Sequence, residues 1–407
     1  MTPLAKGCSS VVVVTAAVIV LFIVGLRSCL SKYDERSAIP PALYFKKDTG
    51  AVILSLVKYS KVNSYSESQG FIRKTVSNIY YIQSNDALSG EKISSKEIGD
   101  DIKHFPEKIL GSDGRHAWIF LNELLAFDPF TLQKVADIEI IEAKNPSLSG
   151  MMPLESQYYS FDEKKKAIIF TSNDGRQWQL DSKTFVATPF ETAAVEKDEW
   201  GNIEKRLAKD LEQRIKRLQD LSPSFTNMKI NQDTVNGTWW GLYAAKEIGE
   251  LSKTISFSPA HNQNQRRQLY TAVYDSAVNG YVDFKDPLLL NASKTTFFLD
   301  AGFLADKQTA LPVRLTNPSG YLILHRSKIG DEGATIIGRI SNTGAIVWQI
   351  DLGKIKWIDY MIKDNRLIIF ANDNKEVSSS ECTLLQIIHL GDGKIKQYDY
   401  FKDKIRK

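Results

Sequence analysis

The first feature along the chain is a run of uncharged residues, Gly7 to Leu26, bounded by Lys6 and Arg27 and rich in Val, Ile, Leu and Ala. It is apolar on every face, unlike the one-sided stripe of a core helix. A helix of that length spans about 30 Å, the hydrocarbon thickness of a bilayer. No comparable run follows, so the pattern predicts one transmembrane helix at about 8–27 inside an anchor segment 1–32. Its apolar stretch exceeds the ~7–15 residues of a secretory signal, which favours an uncleaved anchor. A cleaved signal peptide and a lipoprotein-type site at Leu26-Arg27-Ser28-Cys29 are the two alternatives. Pro40-Pro41 within Ser37–Ala42 reads as a stiff spacer, placed at 33–43.

Beyond Pro41 the pattern changes. Short runs rich in Ile, Val, Tyr and Phe recur: Ala51–Tyr59, Ile79–Gln83, His116–Phe120, Ala167–Thr171, Leu269–Tyr274, Tyr321–His325 and Leu367–Ala371. They are too short for helices and read as strands. Between them lie Ser112-Asp113-Gly114, Asn173-Asp174-Gly175, Asn342-Thr343-Gly344 and Gly391-Asp392-Gly393. Gly, Asn and Asp tolerate positive φ, so these triplets predict tight hairpins.

The runs repeat. Gly320-Tyr-Leu-Ile-Leu-His-Arg leads through Ile337-Gly-Arg-Ile340 and a turn to Ile346-Val-Trp-Gln-Ile350. Asn365-Arg-Leu-Ile-Ile-Phe-Ala leads through Leu384–Ile388 and a turn to Ile395-Lys-Gln-Tyr398, with the first strands offset by 45 residues. Weaker copies begin near Ala117 and Ala167. Four strands recurring every 40–50 residues or so are the mark of a β-propeller blade, whose faces are covered only by stacking on its neighbours. The expected fold is therefore all-β: a propeller of about seven blades over 44–407, with one helical insertion and with Val52–Tyr59 pairing with the last blade to close the ring. A pair of β-sandwich domains is the alternative.

Ile340-Ser-Asn-Thr-Gly-Ala-Ile-Val-Trp348, followed by Leu352-Gly353, resembles the blade motif of quinoprotein-type and outer-membrane-assembly-like propellers. In that family an Ala-x-Asp-x-x-Thr-Gly-x-x-x-Trp segment makes a hairpin and docks its Trp on the next blade. The resemblance rests on Thr343, Gly344 and Trp348, to which it gives a blade-docking role. Leu125-Ala-Phe-Asp-Pro-Phe-Thr-Leu132 and Gln179-Leu-Asp-Ser-Lys-Thr-Phe185 look like the same hairpin in other units. The family's quinone enzymes use calcium and often a Cys-Cys pair. This chain has no such pair, and a calcium loop centred on any of the Asp-Gly turns would begin at Ile109, Phe170 or Ile388, none an oxygen donor. Quinone binding is not carried over.

One segment breaks the β pattern. Ile203, Leu207, Leu211, Ile215 and Leu218 make one apolar stripe, predicting a helix over 199–221 that Ser222-Pro223 stops. Such a helix packs outside a blade or acts as a lid or partner surface. Trp239-Trp240 presents aromatic surface to a ligand or serves blade packing. The polar stretch ending in Arg266-Arg267 reads as a loop entering a strand at Gln268. Trp239, Trp240, Arg266 and Arg267 are the candidate interaction residues.

Composition narrows the function classes. The 407 residues carry 52 basic and 48 acidic side chains. Beyond Arg36 the counts are 48 and 46, a balance that argues against nucleic acid as a partner. Cys8 and Cys29 flank the apolar run, leaving Cys382 alone in the body and thus no internal disulfide there. Phosphate-binding glycine loops, a nucleophile elbow and helical His pairs are missing, so no catalytic residue, metal or cofactor is assigned. Basic residues after the run favour a cytosolic body, whereas an N-terminal signal-anchor ahead of a large domain, and the resembling family, favour export. The expectation is a single-pass protein of the cell (inner) membrane with an extracytoplasmic body. It would bind or scaffold a protein, peptide or other ligand; an envelope enzyme of quinoprotein-like oxidoreductase or hydrolase type is the first alternative, and a membrane-tethered sensor working through the 199–221 helix the second.

Overall fold

The computed structural model describes residues 35–68, 71–100, 107–190, 225–226, 230–233, 238–243, 266–275, 280–285, 298–307, 312–328, 333–374 and 377–402. The anchor at 8–27 and the helix at 199–221 lie outside them. The described residues divide into two compact units. The described residues within 35–85, 92–190 and 400–402 belong to one; those within 86–91 and 225–399 belong to the other.

The first unit holds three four-stranded antiparallel sheets, each in chain order. They are β1 (Glu35–Lys47) to β4 (Lys92–Asp100) with β2 (Gly50–Ser68) and β3 (Phe71–Asp86) between, then β5 (Lys108–Ser112), β6 (Ala117–Leu121), β7 (Glu123–Phe127) and β8 (Lys134–Ala136), then β9 (Tyr159–Asp162), β10 (Ala167–Thr171), β11 (Gln177–Asp181) and β12 (Ala187–Pro189). One helix, α1 (Ile138–Lys144), joins the second sheet to the third. In the other unit, β23 (Lys356–Lys363), β24 (Arg366–Asn372), β25 (Leu384–His389) and β26 (Ile395–Asp399) form another such sheet.

The remaining strands share a ten-stranded sheet. Two meanders run inside it. One is β14 (Ile230–Asp233), β15 (Thr238–Tyr243), β16 (Arg266–Asp275) and β17 (Gly280–Lys285). The other is β19 (Arg314–Thr316), β20 (Ser319–Arg326), β21 (Thr335–Ile340) and β22 (Ile346–Asp351). The strand β18 (Phe298–Leu304) bridges them and also pairs with β13 (Phe225–Thr226). Each expected strand run lies in a strand or overlaps one, and the Gly of each triplet falls in the connection between two paired strands.

Burial explains why the middle strands read as unbroken apolar runs. All five residues of β6 are buried, although a strand points alternate side chains to opposite faces. Ala117, Ile119 and Leu121 join a core with Leu54, Leu56, Tyr80 and Ile82 of the first sheet. Trp118 and Phe120 join another with Tyr159, Ile168, Phe170 and Leu180 of the third. The second sheet is thus covered on both faces. In the other unit β20 behaves alike: Leu322 and Leu324 pack with Leu367 and Ile369 of β24, while Tyr321 and Ile323 pack with Leu269, Phe298 and Phe303. The fourth strands are mostly wet, as in β12 and β26, so polar residues are tolerated there.

Two expectations change. The residues read as a spacer are strand: Glu35–Lys47 pairs with β2, with a register irregularity between Ile39 and Leu43 that takes in the two prolines. Pro is accommodated at such irregularities because it brings no amide hydrogen to the ladder. Val52–Tyr59, expected to close a ring by pairing with the last blade, instead pairs with β1 inside the first sheet. The C-terminal segment meets β2 through side chains: the buried Tyr400 hydroxyl lies 3.0 Å from Ser55 Oγ.

The helix is fixed at both ends. Asp137 caps it by accepting from the Ile140 amide at 3.0 Å and pairs with Lys134 at 2.6 Å. At the other end the buried Asn145 amide donates to the Ile141 and Phe185 carbonyls at 2.7 and 2.8 Å, and its oxygen accepts from the Ala187 amide at 2.7 Å. One side chain therefore joins the helix end to the β11–β12 turn. Asn145→Asp keeps the shape but sets a carboxylate oxygen against two carbonyls. It is expected to lose about 2–3 kcal/mol of stability, read by urea denaturation of the two proteins side by side.

Candidate functional site

The hairpin between the third and fourth strands recurs with one geometry. Asp128 Oδ1 accepts from the Phe130 and Thr131 amides, both at 2.8 Å, and the Leu132 amide returns to the Asp128 carbonyl. Asp181 does the same with Lys183 and Thr184, and Phe185 returns. Asp86 does so with Leu88 and Ser89, and Gly90 returns. The returning residue has positive φ each time: 56° at Leu132, 61° at Phe185 and 76° at Gly90. The His389–Lys394 turn keeps the backbone pattern with Gly393 at 73° but has no Asp at its first position. The two segments read from sequence as sister hairpins thus share one turn.

The turn at Thr343 and Gly344 is one residue shorter. The Gly344 amide, at φ 83°, returns to the Ser341 carbonyl, and the Thr343 hydroxyl lies 2.8 Å from Ser341 Oγ. This turn sets β22 on course, and β22 carries Trp348, which is 9% exposed. Its indole Nε1 donates to the Leu390 carbonyl at 2.9 Å, within the last turn of the β23–β26 sheet. A Cβ added to Gly393 would stand 2.8 Å from Trp348 Cγ, so the indole lies flush against that turn. Trp357, Leu367 and Leu384 complete the surrounding core.

Of the candidate interaction residues, Arg267 is corrected. It is 2% exposed and donates from Nη1 to the Leu242 carbonyl at 3.1 Å, which makes it an internal tie between β16 and β15. The strand already begins at Arg266, so the arginines are not loop residues. Trp239 and Trp240 stand on β15 opposite Ala272 and Thr271, and Arg266 stands on β16 opposite Leu299. The side chains of Trp239, Trp240 and Arg266 lie outside the described set.

A buried polar line in the first sheet had no sequence signal. Arg36, 3% exposed, donates to Gln83 Oε1 at 2.7 Å, and Gln83 donates to Asn85 Oδ1 at 2.9 Å. These residue types are common on solvated strands, and only the coverage of the sheet makes them internal.

Cys382 is fully buried, and burial pushes its thiol well above the ordinary range. His389 Nδ1 lies 2.7 Å from Asp392 Oδ1, and Lys394 pairs with the other oxygen at 2.9 Å. The Lys394 and then the His389 hydrogen bond hold that carboxyl well below the usual range. Among the described residues no three His, Cys, Asp or Glu side chains gather as a metal site, and no helix is long and apolar enough to cross a membrane. His325 is buried against the Phe298 ring, with Nδ1 3.3 Å from the Arg326 carbonyl and Nε2 3.2 Å from the Gln349 amide nitrogen. A neutral ring protonated at Nδ1 satisfies both contacts. Burial, offset in part by the carbonyl, lowers its pKa.

No family model and no curated protein matches the chain. Solved structures do. The β-propeller domain of the trilobed protease from Pyrococcus furiosus is 9% identical over 92% of this chain and 99% of its own, with a TM-score of 0.29. BamB from Moraxella catarrhalis is 11% identical over 91% and 99%, TM-score 0.21. The Cps50 (Swd1) β-propeller domain of Myceliophteria thermophila is 8% identical over 89% of each, TM-score 0.21. At these scores the description of the fold rests on strand order and register.

Two predictions follow from this geometry. Trp348→Phe leaves the Leu390 carbonyl without its indole donor and is expected to cost about 1–3 kcal/mol; Trp348→Ala, which also opens a cavity, about 3–5 kcal/mol, both by denaturant unfolding. For His325 the folded pKa lies below the unfolded value, so the unfolded chain takes up the proton first. The stability carried by the neutral ring is complete above about pH 6.5 and falls as the pH drops below it. Between about pH 7.5 and pH 5.5 the urea midpoint of the parent should fall further than that of His325→Gln.

Proposed function

We propose that this chain is a membrane-anchored β-propeller of the cell envelope that binds and scaffolds a protein or peptide partner. The observation that carries the fold is the series of four-stranded meanders with a recurring turn between the third and fourth strands, the second of them covered on both faces by its neighbours. In this reading each meander is a blade, with about seven in all, and Thr343, Gly344 and Trp348 dock one blade on the next. Such stacked sheets hold their connecting loops rigidly around an axis, an arrangement suited to recognition. The apolar run at 7–26 supports the anchor, and the body is placed outside the cytoplasm. Trp239, Trp240 and Arg266 remain candidates for the partner surface.

The test uses the full-length chain in its own membranes. Mild crosslinking followed by detergent purification should recover a partner in a fixed ratio, and protease added outside spheroplasts should digest the body. A bound metal or quinone in a fixed ratio with no partner would overturn the scaffold reading in favour of an envelope enzyme. A body digested only after lysis would overturn the orientation.

A further inference from the structure

The strand β21 alternates between two cores. Ile337 belongs to the core shared with Leu367, Ile369 and Ile388 of the β23–β26 sheet, whereas Ile340 belongs to the core built from Leu269, Phe298 and Phe303. Arg339 stands two residues beyond Ile337 and so on the same face. Its directly paired neighbours, Leu322 on β20 and Trp348 on β22, are members of the first of these cores. A position that the pattern reserves for an apolar residue thus carries a guanidinium.

Arg339 is 7% exposed. Its Nη1 donates to the Ser319 carbonyl at 3.0 Å, and that neutral oxygen is its one polar partner among the described residues. Nε is buried without a partner. Burial lowers the pKa of the group, and no carboxylate among the described residues raises it again. A guanidinium still keeps its proton at neutral pH, and a buried charge without a counter-charge is strongly unfavourable. The edge left over has a definite shape. With Nη1 taken by Ser319, the Nε and Nη2 hydrogens point side by side and match the two oxygens of one carboxylate.

The facing sheet holds the complementary group. The Trp348 indole reaches the Leu390 carbonyl, and the Leu390 amide donates to the Asn365 carbonyl at 3.0 Å. Asn365 stands in the turn between Lys363 and Arg366, at φ 60°. Its Nδ2 lies 3.3 Å from His389 Nε2, and its Oδ1 is buried without a partner. In a neutral His389 whose Nδ1 donates to Asp392, Nε2 accepts and Asn365 Nδ2 donates, so Oδ1 is an acceptor still lacking a hydrogen. One end of this junction therefore carries a donor edge for an anion and an acceptor for an N–H. A peptide brings a carboxylate and amide hydrogens together; a fully ionised phosphate brings acceptors only.

We propose that Arg339 binds a carboxylate of a partner peptide at the junction of the ten-stranded sheet and the β23–β26 sheet, with Asn365 Oδ1 accepting from an amide of the same peptide. The proposal rests on the partner-binding reading and gives it a chemistry. The carboxylate is either a chain terminus or an Asp or Glu side chain.

The test titrates three peptides into the full-length chain in detergent, followed by ligand-observed NMR: acetyl-Gly-Gly-Leu with a free carboxyl terminus, the same peptide as its amide, and acetyl-Gly-Asp-Leu amide. The free acid or the Asp peptide should bind about tenfold or more tightly than the neutral amide, and which of them does so identifies the source of the carboxylate. Arg339→Met should remove that preference, and Arg339→Lys, which keeps the charge but not the paired edge, should reduce it. Urea denaturation without peptide is the second readout. Arg339→Met removes an unmatched buried charge, so its midpoint should equal or exceed that of the parent. A midpoint lowered in both variants would make Arg339 a structural tie to Ser319 and overturn the proposal, as would equal binding of the neutral and charged peptides. Crosslinking in native membranes keeps the two readings apart. A partner recovered equally with the parent and with Arg339→Met overturns the site and leaves the partner reading; no partner with either, and no peptide bound, overturns both.

Discussion

The constraint on which the described structure depends is that the second strand of a meander, as in β6, β20 and β24, is apolar on both faces. A single sheet with such strands would expose one face to water, at roughly 25 cal/mol for each Å2 left uncovered. The cost disappears only when another sheet lies on each side. The split of β6 between two cores is this requirement met residue by residue; β20 is divided likewise, but its second core is built from strands of its own ten-stranded sheet. It also explains why the outermost strands vary: β26 is Ile-Lys-Gln-Tyr-Asp and largely wet, and little packing depends on it.

That constraint decided what could be read from the sequence. Unbroken runs such as Ala117–Leu121 and Leu367–Ala371 are legible because both-face burial removes the polar alternation of an ordinary antiparallel strand. The turns were legible through residue chemistry, Asp for the amides and Gly for positive φ. The position of Trp348 was legible through the motif around it. Contacts between units of the repeat were not. Asn145, which stitches the helix to a turn about 40 residues away, reads locally as nothing more than a helix stop. Arg36 and Arg267 read as surface charge because a sequence carries no record of which strand a neighbour will cover.

The misread spacer has the same origin. Pro40-Pro41 is a strong local signal for a stiff, unpaired segment, and its physical basis is sound, since neither residue brings an amide hydrogen to a ladder. The sheet absorbs the pair at a register irregularity, and pairing resumes at Leu43. Local chemistry was outweighed by the gain from covering β2 along its length. In the same way Val52–Tyr59 found its partner in the strand beside it, leaving the C-terminal segment to attach through Tyr400 and Ser55.

The recurring turn places a residue at positive φ, where Gly is the undemanding choice, yet two of the turns use Leu132 and Phe185. A left-handed conformation costs a non-Gly residue roughly 1–2 kcal/mol, while burying a Leu or Phe side chain returns roughly 1.5–3 kcal/mol. Both side chains are buried, Leu132 among residues of the first two sheets and Phe185 edge-on to Trp118 at 5.7 Å. The strained corner has become a plug cut to one particular socket. Units that share a backbone trace are therefore not interchangeable parts: moving one corner into another unit would carry the wrong plug. Within the first unit the order of the sheets is written into the residues that depart from the repeat.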